Sequence, residues 1–336
     1  MTPSDNRKKH ILLISTGGTI ASSVSEEGLA PTLASDHLLS HVPEVEQRCF
    51  VSTVSLYRLD STNMKPAYWL HIARYIREAY NTYDGFVITH GTDTMAYAAA
   101  LLHYLVQNSP KPIVFTGAQI PIEQRDTDAR DNLAAAFLYA SDDDACGVHI
   151  VFNGKIIAAT RARKTHTKSF RAFSSMDYPD IGFVRDGAVR YYIREAIQGP
   201  VRFYDTIDPS VIVIKLIPGM RADIFDYVAE HYHAVIIESF GVGGLPFYDN
   251  DEFSDKIRML IERGVRIVIA TQVPHEGSDM SVYQVGRRIK QIHHLPEAYD
   301  MTTEAAVAKI MWALPRCKSA EEFHDCFLTP IGTDIL

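Results

Sequence analysis

Short apolar runs alternate with helix-like segments along almost the whole chain, and this alternation limits the fold more than any other feature. The first such runs cover residues 11–15, 86–89 and 113–116. Apolar runs of this length, each ending in small polar residues, are typical of buried parallel strands. The alternation therefore predicts an α/β protein, in which helices connect the strands of mainly parallel sheets.

The same alternation predicts most of the remaining strands and helices. Further strands are expected at 148–152, 211–216, 235–239 and 265–271, and helices at 66–80, 95–107, 129–140, 222–230, 251–263, 303–314 and 320–327. Asn153 and Gly154, directly after a predicted strand, form a hairpin signal. The acidic residues Asp126, Asp128 and Asp131 open the 129–140 helix, where we expect them to complement the helix dipole.

The chain length indicates two domains, because 336 residues exceed what a single core usually holds. The alternation of strand-like and helix-like segments stops between residues 185 and 208, where Asp-Gly, Gly-Pro and Asp-Pro pairs accumulate. We therefore predict an N-terminal α/β catalytic domain at 1–190 and a linker at 191–210. A smaller C-terminal α/β domain is expected at 211–336.

Charge and hydropathy exclude two classes of partner. The net charge is −8 and the longest basic tract is residues 7–9, which argues against a nucleic-acid-binding face. No stretch approaches the roughly 18 apolar residues of a membrane span, and the polar start with a short apolar run is unlike a secretory signal. The four cysteines are scattered, as expected of reduced thiols. We therefore expect a cytoplasmic protein with no nucleic-acid or membrane partner.

Two threonine-rich loops follow the first two strands of this series. Thr16-Gly17-Gly18-Thr19 follows 11–15, and residues 90–94, with sequence His-Gly-Thr-Asp-Thr, follow 86–89. Reactive groups on α/β folds collect beyond the carboxyl ends of the strands, so these hydroxyls predict a nucleophilic site there. A helix cap would explain one residue of the second loop, and a glycine turn near an anion would explain the first. The spacing fits neither a Walker loop nor a dinucleotide fingerprint.

Together with four further segments, these loops resemble the L-asparaginase family. The matching segments, in the expected order and over nearly the whole length, are 15–21, 60–64, 88–95, 116–121, 163–166 and 239–243. The absence of a secretory signal is similar to the cytoplasmic type I bacterial branch. The resemblance implies the family's two-domain α/β fold, with the active site beyond the carboxyl ends of the N-domain strands.

The resemblance also implies an activity: hydrolysis of the side-chain amide of L-asparagine through a covalent acyl-threonine. By the family pattern Thr19 is the nucleophile, and Thr92, Asp93 and Lys164 form a hydroxyl–carboxylate–amine group. This chemistry fits the residue types, because a threonine hydroxyl is a poor nucleophile until a neighbouring base takes its proton. No metal or organic cofactor is expected. The substrate-binding residues implied are Gly18, Ser61, Thr62, Asn63, Gly91 and Ala118.

Two roles within that family site can be assigned further. Ser61 is expected to bind the α-carboxylate of the substrate, and Asp93 its α-ammonium. The glycines at 17, 18, 91 and 117 are expected to let backbone N–H groups approach the developing oxyanion.

The first departure from the family lies in the loop after the first motif. Family members often carry a tyrosine there that contacts the nucleophile, whereas this chain has Leu29. Either another hydroxyl replaces it, with Tyr57 as a candidate, or the loop acts mainly by excluding water.

The second departure concerns regulation. Type I enzymes can bind a second asparagine near segments that match Phe240, Gly241 and Val242, and Thr271 and Val273. Position 273 is a cysteine in the best-known case, and the valine here argues against activation by asparagine.

Other functions and assemblies stay open on the sequence alone. A mixed glutaminase-asparaginase is the alternative enzyme, because one extra methylene is worth only about 1–3 kcal/mol of discrimination. A catalytically idle amino-acid sensor would use the same pocket. Homo-oligomers are the rule in the family, so a homodimer or homotetramer is expected, with the segment after 265–271 completing a neighbouring active site.

Overall fold

The computed structural model describes residues 7–25, 28–246, 252–282 and 295–336. The chain divides into two compact units, Met1–Asp205 and Thr206–Leu336. The division falls inside the predicted linker 191–210, within which Arg202–Phe203 pairs antiparallel with Val106–Gln107. The domain limits drawn from the sequence stay a prediction.

The first unit contains the larger sheet. The strands of this unit are β1 His10–Gly17, β2 Ser22–Ser25, β3 Gly28–Pro31, β4 Phe50–Leu59, β5 Gly85–Thr89, β6 Val106–Gln107, β7 Ile113–Thr116, β8 Val148–Phe152, β9 Lys155–Ala158, β10 Ala162–Lys164, β11 Phe173–Ser175, β12 Gly182–Arg185, β13 Ala188–Tyr191 and β14 Arg202–Phe203. Its helices are α1 Ser35–Ser40, α2 Val45–Arg48, α3 Pro66–Ala79, α4 Met95–Leu105 and α5 Ala129–Ala140, with 3-10 turns at Thr19–Ala21 and Ser61–Asn63.

Eight strands form the main sheet, in the order β13-β12-β9-β8-β7-β5-β1-β4. Strands β4, β1, β5, β7 and β8 are parallel, and β9, β12 and β13 extend the sheet antiparallel. Ser15 pairs with Thr89, and Thr89 with Thr116, so the ends of three adjacent strands lie side by side. The loops that follow these strands are therefore brought to one edge of the sheet.

The sequence patterns explain the helices and one of the turns. In α3, Pro66 occupies the first turn and Trp69 begins the buried face, as an amphipathic helix requires. Asn153 and Gly154 both have positive φ, 48° and 73°, and close the β8–β9 hairpin that the sequence predicts. The predicted helix 95–107 is wrong at its end, because Val106–Gln107 leaves the helix to pair with β14.

The second unit is a smaller α/β structure. Its strands are β15 Val211–Lys215, β16 Ala234–Ser239 and β17 Arg266–Thr271, and its helices are α6 Ile224–His231, α7 Glu252–Glu262, α8 Thr303–Ala313 and α9 Ala320–Leu328, with a 3-10 turn at Leu314–Arg316. The three strands are parallel. Asp251, the predicted start of α7, lies outside the described residues. The two α/β units with mainly parallel sheets confirm the predicted fold class.

A buried ion pair fixes the end of this unit. Lys309 Nζ lies 2.7 Å from Asp334 Oδ2, both side chains are fully buried, and the ammonium also donates to Thr329 O at 2.8 Å. Across the described parts of both units, no helix has the length and apolar character needed to span a membrane.

Candidate active site

Three loops at the carboxyl edge of the main sheet pack closely against one another at two glycines. Gly18 has φ of 78°, and a Cβ built on it would lie 2.5 Å from Gly91 Cα. A Cβ built on Gly91 would in turn lie 2.6 Å from both Cβ and Oγ of Ser61. Neither position has room for a side chain, so glycine allows the loops after β1 and β5 and the Ser61–Asn63 turn to meet.

Thr19 begins the 3-10 turn directly after Gly18 and is half-buried. Among the described residues its hydroxyl has no hydrogen-bond partner. Thr16, in contrast, donates from Oγ1 to Thr89 O at 2.8 Å and ties the first loop to β5. The Gly18 N–H donates to Leu59 O at 2.9 Å, so it is already engaged and is not free to bind an oxyanion.

Lys164 brings together the second group of predicted catalytic residues. Its Nζ donates to Thr92 Oγ1 at 2.8 Å and to Asp93 Oδ1 at 2.6 Å. The Lys164 side chain is 16% exposed and that of Asp93 56%, while Thr92 is buried. The amine of Lys164 on β10 thus contacts both a hydroxyl and a carboxylate of the loop that follows β5.

The Ser61–Asn63 turn lies beside this group. Ser61 is buried, and its carbonyl accepts a hydrogen bond from Thr94 Oγ1 at 2.9 Å. Thr94 occupies the N-cap position of α4, but its hydroxyl caps no helix N–H, so capping does not explain this residue. Thr62 is exposed, and both its N–H (2.8 Å) and its hydroxyl (2.7 Å) donate to Asp60 Oδ1. Asn63 is also exposed.

The loop that carries Ala118 is held from behind by a buried carboxylate. Asp128 accepts the N–H groups of Gln119 (3.0 Å) and of the next residue (3.1 Å), and also Asn132 Nδ2 (3.1 Å). Asn132 Nδ2 donates in addition to Gly117 O at 3.0 Å. Asp128 therefore has a structural role in this loop that the predicted interaction with the helix dipole does not include. Burial raises the pKa of the Asp128 carboxyl, and these hydrogen bonds oppose that rise.

His90 is fully buried behind the second loop, and its sequence context predicted no role for it. Its Nε2 accepts a hydrogen bond from Trp69 Nε1 at 3.2 Å, and its Nδ1 lies 2.8 Å from Gly91 O, a partner that can only accept. These two bonds describe a neutral imidazole with the proton on Nδ1. Burial lowers the pKa of His90 to about 4, although the bond to the Gly91 carbonyl opposes that shift.

Gln119 is a second residue without a predicted role. Thr92 Oγ1 donates to its Oε1 at 3.4 Å, and its Nε2 donates to Ser169 O at 3.2 Å. Gln119 lies in the 116–121 segment, which is one of the segments that resemble the family. That resemblance is the sequence signal that could have pointed to this residue.

Tyr57, the candidate to replace the missing loop tyrosine, has other partners in this structure. Its hydroxyl is hydrogen-bonded to His71 Nδ1, and its ring packs edge-on against Tyr68. Leu29 lies on β3, and its side chain is outside what the structure describes.

The segments predicted to hold a second asparagine lie close together in the second unit. The Thr271 hydroxyl donates to Gly241 O, and Val273 N–H donates to Thr271 Oγ1 at 3.0 Å. Phe240 and Val242 flank Gly241 in the turn after β16. Val273 is 45% exposed. That Val273 argues against activation by asparagine at this place stays a prediction.

Other possible binding features lie apart from Thr19. A cavity of about 480 Å³ lies along α5 and includes Asp128 and Asn132 in its wall, but neither Thr19 nor Lys164. In the described part of the chain, no group of three or more His, Cys, Asp or Glu side chains is arranged to hold a metal ion.

Comparison with known proteins agrees with this geometry. Residues 10–197 match the family model described as asparaginase, N-terminal, and residues 210–327 match the glutaminase/asparaginase C-terminal domain. An L-asparaginase of Thermococcus kodakarensis is 36% identical over 327 residues, which cover 97% of this chain and 98% of that protein. A glutamyl-tRNA(Gln) amidotransferase subunit from Pyrococcus furiosus is 31% identical, with 97% of this chain and 76% of that protein covered.

Solved structures lead to the same family. The thermostable L-asparaginase from Thermococcus kodakarensis superposes with a TM-score of 0.90 at 34% identity, covering 97% of this chain and 99% of the other. Family models, near-full-length relatives and fold thus agree, and the chain belongs to the asparaginase family.

Proposed function

We propose that this protein is an L-asparaginase, an amidohydrolase that converts L-asparagine to L-aspartate and ammonia through an acyl-threonine on Thr19. Family membership and the L-asparaginases among its relatives support the activity. The observation that carries the mechanism is the contact of one amine, Lys164 Nζ, with both Thr92 and Asp93. Thr92 and Asp93 lie in the loop whose Gly91 packs against Gly18, the residue before Thr19, and Lys164 reaches them from β10.

In the first half-reaction, Thr19 Oγ attacks the β-carbonyl carbon of asparagine. A C–O bond forms, the C–N bond breaks, and the nitrogen leaves as ammonia with the proton that left the hydroxyl. In the second half-reaction, water attacks the ester carbon, releases aspartate and returns a proton to Thr19. Lys164 and Asp93 position Thr92 to relay these protons, as general acid–base catalysis of acyl transfer requires.

Substrate binding follows from the surrounding loops. Ser61 is assigned to the α-carboxylate, and the exposed Asp93 side chain to the α-ammonium, since only its Oδ1 is held by Lys164 among the described residues. The backbone at Gly18, Gly91 and Ala118 lines the position of the side-chain amide. The Thr62 hydroxyl is bound to Asp60 in this structure, so its contact with substrate requires that bond to change.

The substrate preference follows from the distance between the α-groups of the substrate and its side-chain amide. Glutamine carries one more methylene, which moves its amide away from Thr19 once the α-groups are bound. We therefore propose asparagine as the preferred substrate, and the ratio of kcat/KM for the two amides measures the preference. No contact among the described residues of the site favours the mixed-specificity alternative.

Replacement of the nucleophile tests the mechanism. In Thr19→Ala, ammonia release in a coupled assay should fall by roughly 10⁴-fold or more, because no other group forms the ester. Aspartate should still raise the melting temperature, which separates lost chemistry from lost binding. Thr82→Ala is the matched control, since Thr82 is exposed and outside the site. Near-normal turnover by Thr19→Ala would contradict the proposal.

A covalent intermediate provides a second test. Enzyme quenched during turnover should carry an aspartyl adduct on the peptide that contains Thr19, detected by mass spectrometry. An adduct trapped on another residue of an active preparation would refute the assignment. An idle sensor would bind aspartate but release no ammonia.

The cytoplasmic location and the homodimeric or homotetrameric state are part of the same proposal. The four cysteines are free in this structure, which agrees with a reducing compartment. Light scattering on the purified protein measures the assembly directly.

A further inference from the structure

The side-chain amide of Gln119 bridges two parts of the active site. Its Nε2 donates to Ser169 O at 3.2 Å, and its Oε1 faces Thr92 Oγ1 at 3.4 Å. A carbonyl can only accept, so the NH₂ end must face Ser169 and the oxygen end must face Thr92. The orientation of the amide is therefore set by its partners.

This orientation matters because the Thr92 hydroxyl has a single proton. When Lys164 is an ammonium, it donates to Thr92 Oγ1, and the Thr92 proton must point to another acceptor. Gln119 Oε1 is that acceptor. When Lys164 is a free amine, its nitrogen becomes an acceptor and the Thr92 proton can turn toward it.

We infer that Gln119 is a positioning residue that sets the direction of the Thr92 O–H bond and so biases proton exchange between Thr92 and Lys164. The side-chain amide is well placed for this role, because the backbone of Gln119 is held: its N–H donates to both carboxylate oxygens of Asp128, at 3.0 and 3.1 Å. Thr92 is 5% exposed, so water has little access to replace the amide. The inference rests on the proposed function, in which Thr92 relays protons.

Several ionisable groups surround this pair and are unchanged by a substitution at Gln119. Asp93 contacts Lys164 directly, and Asp128 lies behind the Gln119 backbone. His90 is buried behind Gly91, and Arg163 and His166 lie on the β10 strand and the hairpin that follows it. Because these groups are constant, a change in the pH profile reports the amide itself.

Two substitutions change the acceptor in opposite ways. Gln119→Met removes it, so the ammonium form loses a hydrogen bond that the amine form does not use. If the amine is the active form, the pH of half-maximal kcat on the acid limb should fall by about 0.5–1 unit, the equivalent of one hydrogen bond. Gln119→Glu places a carboxylate near the ammonium, and the same midpoint should rise by a similar amount. The change should be in kcat more than in KM.

The matched control is Gln124→Met. Gln124 is exposed on the same loop region and its side chain is outside the site, so its pH profile should match that of the wild type. Urea unfolding of each variant reports whether the fold is intact.

The outcomes separate this inference from the proposed function. If the wild type releases no ammonia from asparagine, the proposed function fails and this inference fails with it. If the wild type is active but the two Gln119 variants leave the midpoint unchanged, or move it in the same direction, only this inference is overturned. Loss of folding in both variants would assign Gln119 to stability and would also overturn it.

Discussion

The backbone contact between Gly18 and Gly91 offers a sharp test, because the chain contains a matched glycine elsewhere. Gly18 has φ of 78° and Gly264 has φ of 80°, so alanine takes a positive φ at either position, and at Gly18 the ψ of 177° adds strain of its own. A Cβ at Gly18 would lie 2.5 Å from Gly91 Cα, whereas a Cβ at Gly264 would meet nothing within 4 Å. The pair Gly18→Ala and Gly264→Ala therefore compares a positive-φ glycine whose Cβ would meet another loop with one whose Cβ would meet nothing.

The expected magnitudes follow from these distances. A positive φ costs a non-glycine residue about 1–2 kcal/mol at either position, and the ψ of Gly18 raises that cost toward about 3 kcal/mol. At Gly18 the Cα of Gly91 must also retreat to the ordinary contact distance of 3.4 Å, a movement of about 1 Å. Overpacking of this kind adds about 1–3 kcal/mol. A shift of about 1 Å between the loops carrying Thr19 and Thr92 should lower kcat about 100-fold.

Two measurements check this reasoning. Urea unfolding should show Gly18→Ala less stable than Gly264→Ala, and the ammonia assay should show the large fall in kcat for Gly18→Ala alone. If Gly18→Ala kept a kcat within about threefold of Gly264→Ala at equal folded concentration, the contact between the loops would not position the catalytic groups.

Three further changes test other parts of the structure. Lys164→Met should lower kcat by roughly 10³-fold or more with little change in melting temperature, whereas exposed Lys168→Met should change neither; an unfolded Lys164→Met would make the role structural. In the folded protein His90 stays neutral down to about pH 4, whereas in the unfolded chain it binds a proton below about pH 6.5. The free energy of unfolding should therefore fall by about 3 kcal/mol as the pH drops from 6.5 to 4. His90→Asn should flatten that slope in urea titrations, and an unchanged slope would contradict it. Asp334→Ala leaves the Lys309 ammonium buried without its counter-ion and should cost about 3–5 kcal/mol in chemical unfolding, whereas a loss below about 1 kcal/mol would show that the ion pair is dispensable.

The sequence predicted those parts of the fold that repeat a local pattern. The strands β5, β7 and β8 are buried throughout and mainly apolar, so each is recognisable from its own sequence. Strand β4 was missed, because it lies at the edge of the sheet and only part of each side chain is buried. The weak alternation of such a strand is hard to distinguish from a polar loop.

Within the candidate site, only residues that lie in the family motifs could be predicted from the sequence. Thr19, Thr92, Asp93 and Lys164 were assigned through resemblance, and the structure brings the last three into contact. Periodicity carries no information about a pairing such as Lys164 with Thr92, which are 72 positions apart. The surroundings of Tyr57 could not be predicted for the same reason, since its partner on α3 depends on how the helix packs against β4.

Asp128 shows most clearly how tertiary structure changes the reading of a local signal. An acidic residue at the start of a helix predicts favourable interaction with the helix dipole, and Asp131 in the first turn of α5 fits that rule. Asp128, however, is 7% exposed and its oxygens accept backbone N–H groups of the loop that carries Ala118. Its carboxylate therefore holds the loop that carries Ala118.

The two roles lead to different outcomes for one pair of variants. Asp131→Asn removes an exposed charge and should cost about 0.3–1 kcal/mol, with unchanged kinetics. Asp128→Asn replaces one acceptor oxygen by an NH₂ group that faces other donors, so a buried N–H loses its partner. That loss should cost about 1–3 kcal/mol and raise KM for asparagine several-fold, because Ala118 is no longer held in place. Urea unfolding and ammonia-release kinetics on both variants decide the matter. Equal, small effects at the two positions would mean that Asp128 acts on the dipole after all, and that the loop keeps its position without it.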